Sequence, residues 1–374
     1  MKVEVNSSAL ADAVAWTTRI INSRPVNPLL AGIKISAEDG VLQFNAYDNL
    51  STRRQIEAGV DEKGSILVLG KLLADITRTL PSETTYLSSD DTTLTITSGK
   101  SKFVMKLMPE EEYPELPAIP NKLGQVDTPT FNQIVNQVCI SSLRSEAGSI
   151  FSKVMINFED NKVIMLATDR SRLSRAEFTW TPDIPNINFS VLLQSSVLHD
   201  ISRSLDVVQN LVIDLDTENL NTIGFENAGA VTTSQLSDGN FPDTDRLFKD
   251  DYPIHIVIKK DELLKALKRV SLVAHFDHSI KMECAGSELK LVAGSTEESQ
   301  ATEVIDIDKD GDDITFLFNP NYLIDCLNVV EEPYIRLKAF DSIQAVEIDG
   351  QQEQDSEESL NFRYIIVPIR GNVD

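Results

Sequence analysis

With 374 residues, 41% apolar and 25% charged, the chain has ordinary globular composition, which excludes a disordered or fibrous polymer and leaves length for about two to four domains. Its net charge of −24 repels polyanions on average, which taken alone opposes nucleic-acid binding, although a net charge does not say where the basic side chains sit. The three cysteines, Cys139, Cys284 and Cys326, are widely spaced and form no CxxC pair, so neither a zinc site nor a disulfide framework is indicated.

The first third opens with a helical face of Leu10, Ala13 and Val14, followed by alternating strand-like stretches over 32–36 and 41–44. The apolar run ILVL ending at Leu69 leads through a short turn into a helix whose buried stripe is expected to hold Leu72, Leu73 and Ile76, with Leu80 one turn on. A strand over 93–96 follows, then a segment from Pro109 to Pro120 with four prolines, which excludes helix and favours an extended crossing. The same order returns with the helical face of Phe131, Ile134 and Val135 and the strands over 154–158 and 163–166. The run ending at Leu193 then leads to a helix carrying Val197, Leu198, Ile201 and Leu205, and a strand over 211–215. A second junction, 241–253, precedes a third round: Leu263, Ala266 and Leu267, strands over 280–284 and 289–292, the run ending at Phe318, a helix over 320–326, and a strand over 334–337. The acidic stretch from Asp349 to Glu358 reads as a solvated hairpin loop.

Asp75, Asp200 and Asp325 mark the repeat, recurring every 125 residues. A unit of that length is too large for a solenoid repeat of roughly 20–45 residues. The expectation is an α+β chain of three similar domains, 1–120, 121–248 and 249–374, each with two helices packed on antiparallel sheets. A curved chain of this kind could close a ring by joining a second copy head to tail. No apolar leader and no run near the roughly 20 residues that span a bilayer are present, so a cytoplasmic protein with no membrane partner is expected.

No catalytic motif of the GxSxG, P-loop, GxGxxG or HExxH kind occurs, so neither catalytic residues nor a cofactor are indicated. The stretch from Asp306 to Gly311 opens like a calcium loop, but Leu317 stands where the closing glutamate belongs, and an acidic hairpin turn is the better reading. His275-Phe-Asp-His278 places two histidines and an aspartate close together, but a metal site would need further ligands from elsewhere in the fold, and a polar loop is the better reading. Basic residues fall on the helices or their ends: Arg19, Arg24, Lys71, Arg78, Arg144, Arg203, Lys265, Lys268 and Arg269. They are either an ordinary solvated face or the lining of one concave surface.

The threefold repeat, together with Ala167-Thr-Asp-Arg-Ser-Arg-Leu173, Gly239-Asn-Phe-Pro-Asp243, Phe318-Asn-Pro-Asn-Tyr322 and Tyr364-Ile-Ile-Val-Pro-Ile-Arg370, resembles the bacterial replicative sliding clamps, the beta subunits of DNA polymerase III, over essentially the whole length. The resemblance implies a head-to-tail homodimeric ring, helices lining a channel for duplex DNA read without sequence preference, and no catalysis. The basic residues above would then line the channel. Retention by encirclement needs only weak phosphate contacts, which removes the objection from net charge. It implies partners, namely DNA polymerase, clamp loader and repair proteins, that insert short apolar peptides into a groove. By matching motifs its walls are Phe151, Thr168, Arg170, Arg172, Leu173, Pro242, Arg246, Leu247, Asn319, Tyr322, Ile343, Ile365, Val367, Pro368, Ile369 and Arg370. At the dimer contact the resemblance sets Phe103 and Met105 against Leu272 and Val273, and Lys100 and Lys102 against Glu297, Glu298 and Glu303. Ser171 stands where relatives often carry a bulkier ring, Val367 where methionine is common, and the chain runs on past Arg370 without their leucine. The alternatives are an acidic monomeric scaffold of the same fold that does not encircle DNA, and a metal-dependent enzyme using 306–312 or 275–278.

Overall fold

The computed structural model describes residues 1–22, 25, 27–48, 50–143, 148–249, 251–274, 279–295 and 299–370. Arg24, Arg144, His275, His278, Glu297, Glu298 and the four residues after Arg370 therefore lie outside the described residues.

The helices among the described residues are α1 (Ser7–Thr18), α2 (Gly70–Thr77), α3 (Thr128–Cys139), α4 (Ser195–Ser202), α5 (Lys260–Val270) and α6 (Pro320–Val329). Local chemistry fixes their ends. The Asn6 side chain accepts from the Ala9 amide at 3.0 Å, and Asn319 accepts from the Asn321 amide at 3.0 Å just before Pro320, so both helices start on a side-chain cap. In α5, Asp261 and Glu262 in the first turn and Lys268 and Arg269 in the last complement the helix dipole. The short turn expected before α2 and α4 does not exist: strands Gly64–Leu69 and Asn188–Gln194 run straight into these helices. Leu72 also departs from expectation, being 45% exposed, whereas Leu73 and Ala74 take the buried face of α2.

Among the described residues the strands pair antiparallel and form four sheets. The chain divides into two compact units, one of Met1–Thr128, Thr181–Ile184 and Arg203–Leu236, the other of Pro129–Trp180, Pro185–Ser202 and Ser237 onward. In the first unit a five-stranded sheet runs in the order Gly59–Glu62, Lys2–Asn6, Thr84–Ser89, Thr93–Ser98, Ser101–Lys106. Its core of Val3, Val5, Leu87, Leu94 and Ile96 packs with Leu10, Val14 and Leu73 of α1 and α2. The second sheet of this unit has nine strands, because Ala230–Gln235 pairs with Leu50–Glu57, Thr233 opposite Ser51. In the second unit another nine-stranded sheet forms where Arg172–Thr179 pairs with Glu358–Ile366, and a four-stranded sheet runs Ser299–Asp306, Glu288–Ser295, Ile280–Ala285, Ile314–Phe318.

Among the described residues of the first unit, one carboxylate is buried without a hydrogen-bond partner at Oδ2: Asp214, on strand Asn210–Leu215. It lies over Gly224 of the neighbouring strand, where a Cβ would come within 2.9 Å of Asp214 Oδ2, so no larger residue fits without displacing it. Burial, then Glu226, push its pKa up to about 6 against the pull of Lys122. A raised folded pKa means that the native state holds a proton the unfolded chain releases, so this contribution to stability is present below about pH 4 and is lost as pH rises through about 6. Asp214→Asn is expected to raise the unfolding free energy at about pH 8 by roughly 1–3 kcal/mol while changing it little at about pH 4. Urea denaturation at both pH values checks this, and an equal effect at the two would refute it.

Candidate functional site

The groove residues named from sequence lie in the second unit, and its sheet register assembles their centre. Pairing of Arg172–Thr179 with Glu358–Ile366 sets Leu173 opposite Ile365, each only 1% exposed. The turn before Arg172 is tied internally: the Thr168 hydroxyl donates to the Arg172 carbonyl at 2.7 Å, and the Ser171 and Arg172 amides donate to Asp169 Oδ1, each at 3.0 Å. The Val367 amide donates to the Ser171 carbonyl at 2.9 Å and the Ile369 amide to the Leu317 carbonyl at 2.7 Å, which lays the C-terminal segment beside the turn. Pro368 is buried there while Val367, Ile369 and Arg370 face solvent.

Arg172 holds this assembly together. Its Nε lies 2.9 Å from Asp169 Oδ2, its Nη1 lies 2.7 Å from Asp325 Oδ2, and its guanidinium sits 4.3 Å from the centre of the Tyr322 ring. Burial alone would lower its pKa, but Tyr364 and the two carboxylates outweigh it and push the pKa up, so it stays charged. The Tyr364 hydroxyl donates to the Tyr322 carbonyl at 3.0 Å, a second tie to α6. Of the three repeated aspartates only Asp325 has an arginine partner among the described residues; Asp75 and Asp200 are exposed.

The segment carrying Pro242, Arg246 and Leu247 is pinned at both ends. At one end the Asp238 carbonyl accepts from Lys153 Nζ at 2.8 Å. At the other, Arg363 lies 4.4 Å over the Phe248 ring, Tyr252 packs on Phe340 with ring centroids 5.1 Å apart, and the Tyr252 hydroxyl donates to Glu347 Oε2 at 2.6 Å. Pro242, Arg246 and Leu247 are exposed between these anchors, as is Ile343 beyond Phe340. Asn319, placed in the groove from sequence, also caps α6, and Phe151 lies under Arg170.

A buried ionic layer lies under this anchor, and sequence reasoning missed it. Lys338 Nζ is 2.5 Å from Asp349, 3.2 Å from Glu347 and 3.3 Å from Glu358, and Arg363 Nη2 is 2.5 Å from Glu347. Asp349 and Glu347 are fully buried, so the reading of 349–358 as a solvated loop is corrected: Asp349 and Gln351 belong to strand Val346–Gln351, Glu358 opens the next strand, and only the residues between form the turn. Burial, and the neighbouring Glu347, push the Asp349 pKa up against Lys338 and Arg363. The signal that could have found the layer is the alternation of charged residues at 336 and 338, and at 347 and 349, in otherwise apolar strands.

The basic helix residues separate into two kinds. Lys71, Arg78 and Arg203 in the first unit, and Lys265 and Lys268 in the second, are exposed and free of ion pairs among the described residues. Arg19 is half-buried, donating to the Thr232 hydroxyl at 3.0 Å and lying 4.1 Å over the Trp16 ring, so it also joins α1 to strand Ala230–Gln235. Arg269 grips Glu303 through two nitrogens, one at 2.7 Å, so residues assigned from sequence to channel and dimer surfaces engage each other.

Two strands end their sheets. Ser101–Lys106 closes the five-stranded sheet, with Lys102 and Lys106 exposed and Val104 at 59% exposure. Met105 is 3% exposed and Phe103 packs partly on the same core, so the apolar surface of this edge is Val104. Ser299–Asp306 ends the four-stranded sheet with Val304 exposed, and Leu272 is 70% exposed with Val273 half-buried beside it in the turn after α5. The acidic hairpin reading of 306–311 meets a short strand, Asp308–Asp310, in which the Lys309 ammonium lies 2.7 Å from the Gly311 carbonyl and 3.0 Å from Asp313.

Residues 1–117, 125–243 and 245–368 match, in order, the N-terminal, central and C-terminal domains of the DNA polymerase III beta subunit. The beta sliding clamp of Streptomyces coelicolor is 35% identical over 373 residues, covering 99% of both chains, and that of Micrococcus luteus is 35% identical over 306 residues, covering 82% of this chain and 98% of its own. The crystal structure of the DNA polymerase sliding clamp from Bacillus subtilis superposes with a TM-score of 0.91 at 25% identity, covering 99% of both chains. With each third matched by its own domain and relatives matched from end to end, this chain belongs to the bacterial DNA polymerase III beta subunits, the beta sliding clamps.

Proposed function

We propose that the chain works as a non-catalytic DNA sliding clamp: two copies join head to tail in a ring around duplex DNA and tether DNA polymerase, clamp loader and repair proteins through apolar peptides held in the groove. The observation that carries the reading is the end-to-end, in-order match to all three clamp domains. The proposed domain borders at about 120 and 248 lie near the limits of the matched segments, 117 to 125 and 243 to 245.

The two sheet edges support the ring. An edge strand with an open hydrogen-bond row must be covered or protected, and lysines on one edge face acidic residues on the other in a head-to-tail pair. Ser101–Lys106 offers Lys102, Val104 and Lys106; Ser299–Asp306 offers Val304 and Asp306. Rim ion pairs are individually weak, so strand pairing and the valines carry most of the affinity. Lys71, Arg78, Arg203, Lys265 and Lys268 supply exposed cations for loose phosphate contacts, which lets the protein slide.

The test is retention on plasmid DNA after loading by a matched clamp loader with ATP. Protein retained on circular DNA and lost when the plasmid is cut means a closed ring. Equal retention on both forms would mean ordinary surface binding and would overturn the proposal. Val104→Glu is expected to shift the protein to monomer in sedimentation and abolish retention on the circle, because it places a carboxylate opposite an acidic edge. Loss of retention without a change in oligomeric state would count against the edge pairing.

A further inference from the structure

One hydrogen bond occurs in two repeats with different side chains. Helices α1 and α3 are each 12 residues long, and Trp16 and Gln137 both stand tenth in them. Ser204 and Val329 lie four residues after the repeat aspartates Asp200 and Asp325. The Trp16 indole N–H donates to the Ser204 carbonyl at 3.2 Å, and the Gln137 amide donates through Nε2 to the Val329 carbonyl at 3.3 Å. The attachment is kept while a bicyclic ring gives way to a short amide. In the first repeat Arg19, the residue after α1, lies over that ring; in the second, Ile140, the residue after α3, holds the matching place. The second repeat therefore lacks both the ring and its guanidinium. Next to Gln137 is a cavity of about 840 Å³, a volume ordinary for small-molecule sites. Its wall includes Asn136, the chain neighbour of Gln137, Val329, its acceptor, and Ile140. Gln137 is 4% exposed with Oε1 unpartnered, so the amide alone does not complete the position.

The walls limit what chemistry fits. Ile140 and Leu143 give apolar surface, while the amides of Gln133, Gln194 and Asn328 offer donors and acceptors to the edge of a flat ring. At the rim the exposed Asp200 and Glu331 are offset in part by Lys260, whose Nζ lies 2.9 Å from the Val330 carbonyl and 3.3 Å from the Glu331 carbonyl. Such a rim disfavours an anion without forming a strong site for a cation. We infer that the cavity between α3, α4 and the end of α6 binds an uncharged planar heteroaromatic molecule with a polar ring edge, which stands in the second repeat for the indole that Trp16 brings to the first. The cavity shares no residue with the groove, so the inference is independent of that reading. Burial against Ile140 and Leu143 supplies attraction, and the wall amides discriminate against a ring of the same shape without a polar edge, because it leaves them unpaired.

The chain carries its own reporter. Cys139 lines the cavity and is half-buried, whereas Cys284 and Cys326 are at most 1% exposed, so an aromatic disulfide reagent acting on the folded protein reads Cys139 alone. Indole near its solubility limit is expected to slow that reaction about tenfold by covering the thiol. Benzothiophene, of the same shape without a ring N–H, is expected to slow it less than about twofold. Gln137→Trp restores the indole of the first repeat and is expected to slow the reaction with no ligand present and to leave added indole without further effect. Ser196→Trp, at an exposed position on the cavity wall, is expected to block indole in the same way, and it carries the comparison if the buried variant does not fold. An unchanged rate in the parent protein with indole would overturn the inference, as would protection by indole that persists in a folded variant. Equal protection by benzothiophene would also overturn it, by reducing the site to an apolar cleft. Protection by single-stranded DNA and not by indole would overturn it in favour of a nucleic-acid contact.

Discussion

Arg172→Ala is expected to lower the unfolding free energy by about 3–5 kcal/mol and to abolish peptide binding in the groove. The substitution leaves Asp169 buried without its cation and frees Asp325, and it removes the guanidinium that stacks on Tyr322. Both effects have one cause, since the same side chain secures the turn over 168–172 and α6. Lysine is not an adequate replacement, because one ammonium cannot reach two carboxylates and a ring face in the same plane. Chemical denaturation and peptide anisotropy on Arg172→Ala and Arg172→Lys check this. A protein of parent stability that had lost only peptide binding would show that Arg172 contacts the peptide and does not hold the fold.

Lys338→Met is expected to cost a similar amount, about 3–5 kcal/mol near pH 8, because the ammonium is the cation shared by Asp349, Glu347 and Glu358. Part of the loss is expected to return near pH 5. Burial and Glu347 already raise the Asp349 pKa in the parent, and removing the lysine raises it further, so protonation relieves the unpaired charge on acidification. The sign is opposite to ordinary acid denaturation, in which a carboxylate with a depressed pKa loses its contribution as pH falls. Asp349→Asn in the Lys338→Met background is expected to recover most of the stability at pH 8. Denaturation curves of the single and double variants at both pH values check this, and a Lys338→Met protein no more stable near pH 5 than near pH 8 would refute the account. Because Glu347 also holds Tyr252 and Arg363, the single variant is further expected to loosen residues 241–253 in hydrogen exchange.

Periodicity made much of the fold legible. The apolar stripes that mark α1 to α6 and the spacing of Asp75, Asp200 and Asp325 follow from helical and strand repeats that the sequence carries locally. The errors are also informative. The buried face of α2 runs through Gly70, Leu73, Ala74 and Thr77, and Leu72, about 100° back around the helix from Leu73, falls on the other side of it. Asp349 looked solvated because the stretch it opens has the composition of a loop, and the alternation at 336/338 and 347/349 does not by itself say that the two strands pair and bring Lys338 to Asp349. The resemblance assigned Arg172 to the groove, but its partner Asp325 lies 153 residues away, a pairing that exists only once the strands and α6 have assembled. Alternation along Ser101–Lys106 does put Phe103 and Met105 on one side and Lys102, Val104 and Lys106 on the other, and the structure turns the first set inward.

The seams between strands have a mechanical corollary. The repeat length divides the chain in three, but dense packing divides it in two, with strands Asn121–Asp127 and Asn210–Leu215 in one unit while Lys153–Glu159 and Lys162–Thr168 are in the other. Force or heat applied to the chain therefore has no reason to release one repeat at a time. A cut at a repeat border would strip a long sheet of its neighbours and leave a raw ladder of unpaired amides along Leu50–Glu57 or Glu358–Ile366. Single repeats made as separate fragments should accordingly clump, whereas in the intact chain the division between compact units passes through the second repeat.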